Sequence, residues 1–283
     1  MEQQKNNSLP LFWRSVGAGL GYLGLYFGMQ MLVCVPFVLV AAFRVIQQQG
    51  LQDSQTLINA IILYVQQHNL LLTLSVNVAT LAVILVIFLI RKKNPLKEIG
   101  LNKVSPKSLL PLIPLGILLN VFTSSLLAML PPQWLESYEA ASQMVLGNSL
   151  DIIAVLMVAA IAPLTEEVLF RGLIYTRFSR GLPRWLAVTL CGLLFGLMHG
   201  QLVWVIYAGI FGAVLCLTME QYGSLWGSIV LHMAFNMGSF FMAMLGQVNL
   251  LLVMMGSGLA CWALAAYIRL HVNRKAMEQE GTG

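Results

Sequence analysis

Apolar residues along this chain come in long blocks separated by short polar connections, without the strict alternation that marks strands. Eight blocks read as membrane-spanning helices: 16–43, 70–90, 109–130, 151–176, 185–199, 202–219, 224–244 and 249–268. A helix needs about 20 apolar residues to cross a bilayer. The polar, glutamine-rich stretch 44–69 carries Leu57, Ile58, Ile61, Ile62 and Val65 at helical spacing, which predicts a helix lying in the interface. In the first block Gly17, Gly21, Gly24 and Gly28 share a face, which predicts close packing against a neighbouring helix, and Pro36 predicts a kink. Residues 1–14 form a polar tail, and 131–150 a loop holding Glu136 and Glu139 without Lys or Arg.

Composition agrees with that pattern. Hydrophobic residues make up 58% of the chain and charged residues 10%, where soluble domains carry about 25% charged. Soluble and disordered classes are excluded, and the fold class is all-α, a polytopic membrane protein of about eight transmembrane helices. The net charge of +5 sits in a few connections: Arg91 to Lys107, Arg177 to Arg184, and the C-terminal tail. It reads as a topology signal rather than a nucleic-acid surface, and predicts both termini on the cytoplasmic side, with Arg44 as the main dissenter. The run from Val16 to Phe43 is too long for a signal-peptide core, so no removable leader is expected. Cys34, Cys191, Cys216 and Cys261 each fall within an apolar block, as small hydrophobes rather than a disulfide framework.

The costly residues are at 163–171, Pro-Leu-Thr-Glu-Glu-Val-Leu-Phe-Arg. An ionisable side chain at bilayer depth costs roughly 2.5–3.5 kcal/mol on insertion scales. Glu167 and Arg171 are four apart in the favourable order for a helical ion pair. Glu166 points about 100° away and needs a partner from another helix. His199 in the fifth block and His232 in the seventh are the candidates. Phe195 shares a face with His199, and Asn236 with His232. Gly192, Gly196 and Gly200 form a stripe that admits a close neighbour. Counting about 1.5 Å per residue from the basic end of each helix puts Glu166, His232 and His199 roughly 16, 13 and 21 Å deep, a common level. That predicts a polar pocket between the fourth, fifth and seventh helices, facing the cytoplasm.

Each residue also has a plain structural reading. Glu167 with Arg171 serves as a buried brace, a lone histidine as a hydrogen-bonding tie, and Asn77 and Asn120 as interhelical glue. Taken together, the acid, the two histidines and Asn236 suit peptide-bond hydrolysis. A desolvated carboxylate acts as base toward water, an imidazole shares the proton, and an amide and a second imidazole bind an oxyanion. Glu166, His199 and His232 alternatively supply three ligands to a zinc ion with water fourth, although no HExxH pattern is present.

Glu166-Glu167-x-x-x-Arg171, Phe195-x-x-x-His199 and His232-x-x-x-Asn236, in that order on three predicted membrane helices, resemble the three motifs of the CPBP family of CAAX-prenyl endopeptidases and bacteriocin-processing or self-immunity proteins. The resemblance implies that Glu166 activates the hydrolytic water with His199, that His232 and Asn236 form the oxyanion site, and that Glu167, Arg171 and Phe195 support them. It leaves open a glutamate or a metal mechanism, with zinc as the only cofactor in question.

The chain then divides into a cytoplasmic tail at 1–14, an N-terminal transmembrane region at 15–150, a CPBP-like catalytic core at 151–245, and a last span with a basic tail at 246–283. The expected partners are the lipid bilayer and a peptide or protein substrate, lipidated in part of the family, with no nucleic acid. The expected location is a bacterial cytoplasmic membrane. Two other classes compete with the endopeptidase reading. One is a non-catalytic immunity or scaffold protein of the same fold. The other is a proton-coupled transporter, disfavoured by the lack of evident internal repeats.

Overall fold

The computed structural model describes residues 8–50, 53–146, 152–244 and 249–280. Part of the expected N-terminal tail (residues 1–7), the end of the 131–150 loop with Asp151, and residues 245–248 lie outside the described residues. The described chain is helical, as the block pattern predicts. Helix α1 is Ser8–Gln49, α2 Ser54–Gln67, α3 Asn69–Ile90, α4 Pro95–Glu98, α5 Pro106–Leu109, α6 Leu112–Leu127 and α7 Pro132–Leu146. The fourth block becomes a continuous helical run: α8 Ile152–Leu156, a π-helical segment Met157–Ile161, α9 Ala162–Glu167, a second π-helical segment Val168–Tyr175, and α10 Thr176–Gly181. Then follow α11 Arg184–Leu197, α12 Leu202–Tyr222, α13 Leu225–Met244 and α14 Leu250–Glu280.

Among the described residues five stretches are long and apolar enough to cross a membrane: Pro10–Gln49, Asn69–Ile90, Pro106–Leu127, Leu202–Tyr222 and Leu250–Leu270. The fifth predicted span is a shorter apolar helix, Arg184–Leu197. The protein is an all-α polytopic membrane protein, and its helices follow the predicted blocks.

Several boundaries differ from the sequence expectation. α1 begins within the expected polar tail and carries past Pro36 and Arg44 to Gln49. Its 42 residues span about 63 Å at 1.5 Å each, twice the ~30 Å of a hydrocarbon core. The helix expected in 44–69 is present as α2, with no buried residue. Asp53 caps it, accepting from the Gln55 and Thr56 amides at 3.1 Å each. The expected acidic loop at 131–150 forms helix α7 through Leu146.

Glycines set two contacts and fail to set a third. A methyl at Gly192 meets Gly209 O at 2.7 Å, and one at Gly196 runs into Val205 O, so α11 and α12 pack backbone to backbone. Gly200, expected on the same stripe, instead turns the chain after α11 with a φ of +77° and has open space around it. The face of Gly17, Gly21, Gly24 and Gly28 meets nothing within 4 Å. α1 docks through Gly19 against Phe178 and through Ser15 against Gly181. The expected face is thus not the packed one, because glycine spacing marks a face that can pack closely without saying which way the helix is turned in the fold.

Asn120 bridges helices as predicted, donating to Ser239 Oγ at 3.0 Å. Asn77 donates within its own helix, to Thr73 O at 3.0 Å. All four cysteines are free thiols, and Cys191, Cys216 and Cys261 are buried.

Candidate active site

The site begins with Pro163. The π turn before it sends the Ala162 amide to Met157 O, one residue beyond the usual α-helical acceptor. Proline has no N–H. The α-helical donor to Val158 O, the Ala162 amide, is therefore engaged elsewhere, and position 163, which would supply the donor in the π register, has none. Asn236 from α13 takes that carbonyl, its Nδ2 donating at 2.9 Å. A buried carbonyl that lacks a donor costs about 1–3 kcal/mol, so this bond ties α13 to the helix carrying the carboxylates.

The two glutamates end α9 and have different surroundings. Glu167 is fully buried, and its Oε1 accepts from Arg171 Nη1 at 2.8 Å and from His232 Nδ1 at 2.7 Å. Arg171 is equally buried, donates through Nη2 to Gly212 O at 3.0 Å, and lays its guanidinium 4.2 Å from the Phe195 ring centroid. A buried charge pair of this kind is held by these contacts, although Glu167 Oε2 and Arg171 Nε are buried without a hydrogen-bond partner among the described residues. Glu166 keeps 30% of its side-chain surface open, and its Oε2 lies 3.7 Å from His232 Nε2. That is an ion-pair separation rather than a direct hydrogen bond. The spacing rules assigned Glu167 to Arg171 correctly. They did not reveal that Glu167 also holds the far nitrogen of His232.

Both imidazoles are oriented by these contacts. His199 Nδ1 sits 2.9 Å from Phe195 O. A carbonyl only accepts, so Nδ1 carries the proton and neutral His199 presents a bare Nε2. His232 gives its Nδ1–H to the Glu167 carboxylate and turns Nε2 toward Glu166. Phe195, buried to 1%, packs edge-on against both rings, with centroids 5.0 Å from His199 and 5.7 Å from His232. Phe211 closes the other side of His232 at 5.6 Å, and Trp204 lies 5.2 Å from His199. Glu166 and His232 are both within electrostatic reach of His199.

Glu166, Phe195, His199, His232 and Asn236 line one cavity of about 820 Å³. Glu167 and Arg171 lie beneath it. All seven residues read from the sequence are thus brought into one region. Sequence reasoning missed Phe211, Trp204, the Val158 carbonyl and Tyr138 of α7, whose ring packs on Trp204 and Tyr207 at 5.8 and 6.1 Å. Only the missing N–H of Pro163 signalled any of these in advance.

The direction of the cavity departs from expectation. Its remaining walls come from Gln66 and Gln67 of α2, Asn69 and Thr73 of α3, Ser124 of α6 and Ser142 of α7. These stand at helix ends joined by the connections poor in Lys and Arg, and His199 follows the C-terminal end of α11 on the same side. The pocket predicted to face the basic, cytoplasmic end is lined from the opposite end.

The metal alternative would draw on Glu166, His199 and His232. Among the described residues no group of three or more His, Cys, Asp or Glu is arranged to hold a metal ion. His232 Nδ1 and His199 Nδ1 are committed to Glu167 and Phe195, so each ring has one nitrogen left to offer.

Residues 148–238 match the family model described as type II CAAX prenyl endopeptidase Rce1-like. The matched stretch contains all three motifs, and the family resemblance read from them is borne out. UPF0177 protein YbdI of Lactococcus lactis subsp. lactis (strain IL1403) is 35% identical over 83 residues. That match covers 29% of this chain and 44% of the relative, so it spans less than half the length of that curated protein. No solved structure matches the chain significantly.

Proposed function

We propose that the Rce1-like stretch at 148–238 makes this chain an intramembrane endopeptidase, cleaving a peptide bond of a membrane-associated protein or peptide with a water activated by Glu166. The observation that carries this reading is the unequal pair of adjacent carboxylates. Glu167 is buried, with its Oε1 held by both Arg171 and His232, whereas Glu166 faces the cavity with His232 Nε2 at 3.7 Å. One water can bridge a gap of that size from the cavity side.

In this mechanism Glu166 accepts a proton as the water oxygen attacks the scissile carbonyl carbon. Positioned general bases contribute about 10²–10⁴-fold. The electron pair of the carbonyl bond moves onto its oxygen. His232 in its protonated form donates Nε2–H to that oxyanion, its positive charge supported from behind by Glu167. Asn236 has two amide hydrogens and spends one on Val158 O. The second serves the oxyanion, where losing one donor costs about 10²–10³-fold in rate. His199, with Nε2 free to accept, holds the attacking water or relays its proton. Collapse of the tetrahedral species breaks the C–N bond, and the proton taken by Glu166 passes to the leaving amine.

The test uses purified full chain in detergent against fluorogenic peptides, including farnesylated members, beside Glu166→Ala, with and without a zinc chelator. The expected result is cleavage by the native chain, loss in the variant and indifference to the chelator. Cleavage that survives Glu166→Ala would sink the proposal.

A further inference from the structure

The end of the bundle that carries the basic connections is closed beneath the site. Leu169, Leu173, Ile174 and Leu225 are fully buried there, and Phe170 and Phe178 nearly so. The connections themselves are tied down over this plug. Asn102 Nδ2 donates to Gly223 O at 2.7 Å, Ser224 Oγ to Asn102 O at 2.7 Å, and the Leu225 amide to Gly100 O at 2.9 Å. Arg177 pairs with Glu98 at 3.0 Å, and Arg184 with Glu220 at 2.8 Å. Apart from buried Arg171 and the dissenting Arg44, every Lys and Arg falls in these connections or near the chain termini. The cavity, by contrast, is walled by helix ends joined through connections whose charges are acidic, Asp53, Glu136 and Glu139.

We infer that the substrate reaches Glu166 from the face opposite the basic connections, which the positive-inside rule makes the non-cytoplasmic face. The substrate class is then a translocated peptide or an outward-lying, membrane-proximal segment of a membrane protein, rather than a lipidated cytoplasmic C-terminus. This rests on the endopeptidase reading for the word substrate. The side of access stands on the packing and the charge distribution alone.

Labelling tests the side without needing activity. Gln67→Cys and Ser142→Cys place thiols on the cavity wall, and Lys103→Cys places one in a basic connection. Each is made in the full chain, with the native chain, and a Cys34→Ser background, as baselines. Intact cells are treated with a membrane-impermeant polyethylene-glycol maleimide, which shifts a labelled chain on a gel. The expected result is a shift for the Gln67 and Ser142 variants in intact cells, and for the Lys103 variant only after permeabilisation. Labelling of the Lys103 variant in intact cells, or of both cavity variants only after permeabilisation, overturns the inference. Repeating the labelling in Glu166→Gln separates the two claims. An unchanged pattern is expected there, because access does not depend on catalysis, whereas the expected labelling of a native chain that cleaves no test peptide retires the hydrolase reading and leaves the side of access standing.

Discussion

Adjacent glutamates in one membrane helix invite the same substitution at both, and the two should fail in opposite ways. Glu166→Gln removes a carboxylate that is 30% open and makes no direct hydrogen bond with its 3.7 Å neighbour. Folding should hardly notice, while cleavage should fall by about 10²–10⁴-fold, the worth of a positioned base. Glu167→Gln keeps the shape but strips the charge facing Arg171 at 2.8 Å and His232 at 2.7 Å, all at or near zero exposure. Breaking a buried pair from one side leaves the other charge uncompensated, at a cost of about 3–5 kcal/mol. Replacing both members, Glu167→Gln with Arg171→Met, should recover part of that loss, because no lone charge remains. Thermal unfolding in detergent followed by size-exclusion fluorescence reads stability, and a cleaved fluorogenic peptide reads chemistry. Equal destabilisation by the two single variants would refute the division of labour. So would a double variant less stable than Glu167→Gln alone.

Three further outcomes follow from particular contacts. Gly196→Ala should destabilise the protein by about 1–3 kcal/mol, since the added methyl meets backbone atoms Val205 O and Gly209 N that cannot swing aside, whereas Gly17→Ala, facing open space, should leave thermal stability unchanged. Asn236→Ala should cost about 1–3 kcal/mol by orphaning Val158 O; in a double-mutant cycle with Pro163→Ala, which restores a competing N–H, the two effects should be non-additive, and additivity would refute the account. Hydrogen bonds from Thr56 hold the Asp53 carboxyl below its ordinary range, so the cap of α2 is intact above that range and is lost as pH falls through the lowered value; deuterium uptake over 54–60, corrected for intrinsic rates, should rise on acidification and be raised already at neutral pH in Asp53→Ala.

What was legible in the sequence follows the reach of each rule. Helical periodicity acts over one turn, so it found the Glu167–Arg171 pair, the shared faces of Phe195 with His199 and of His232 with Asn236, and the close packing at Gly192 and Gly196. Hydropathy acts over a whole span, so it found the blocks that became the helices. Neither rule says which way a helix is rotated about its axis. That rotation decides that Gly19 rather than Gly17 packs inward, and that His232 turns Nδ1 to Glu167 and only Nε2 to Glu166. The π-helical segments on either side of α9 compound the difficulty. Each adds a residue to a turn and so changes the direction in which everything beyond it points; Glu166 and Glu167 follow the first segment, and Arg171 lies within the second. Depth counting failed for a related reason. It placed Glu166, His199 and His232 at one level correctly enough for them to meet, yet depth measured from one end carries no information about which end is plugged. The plug is made by Leu169, Leu173, Ile174 and Leu225, residues indistinguishable in sequence from those that face lipid. In a membrane helix apolar residues cover both surfaces, so the open end of a polar site is set by packing that the apolar pattern does not record.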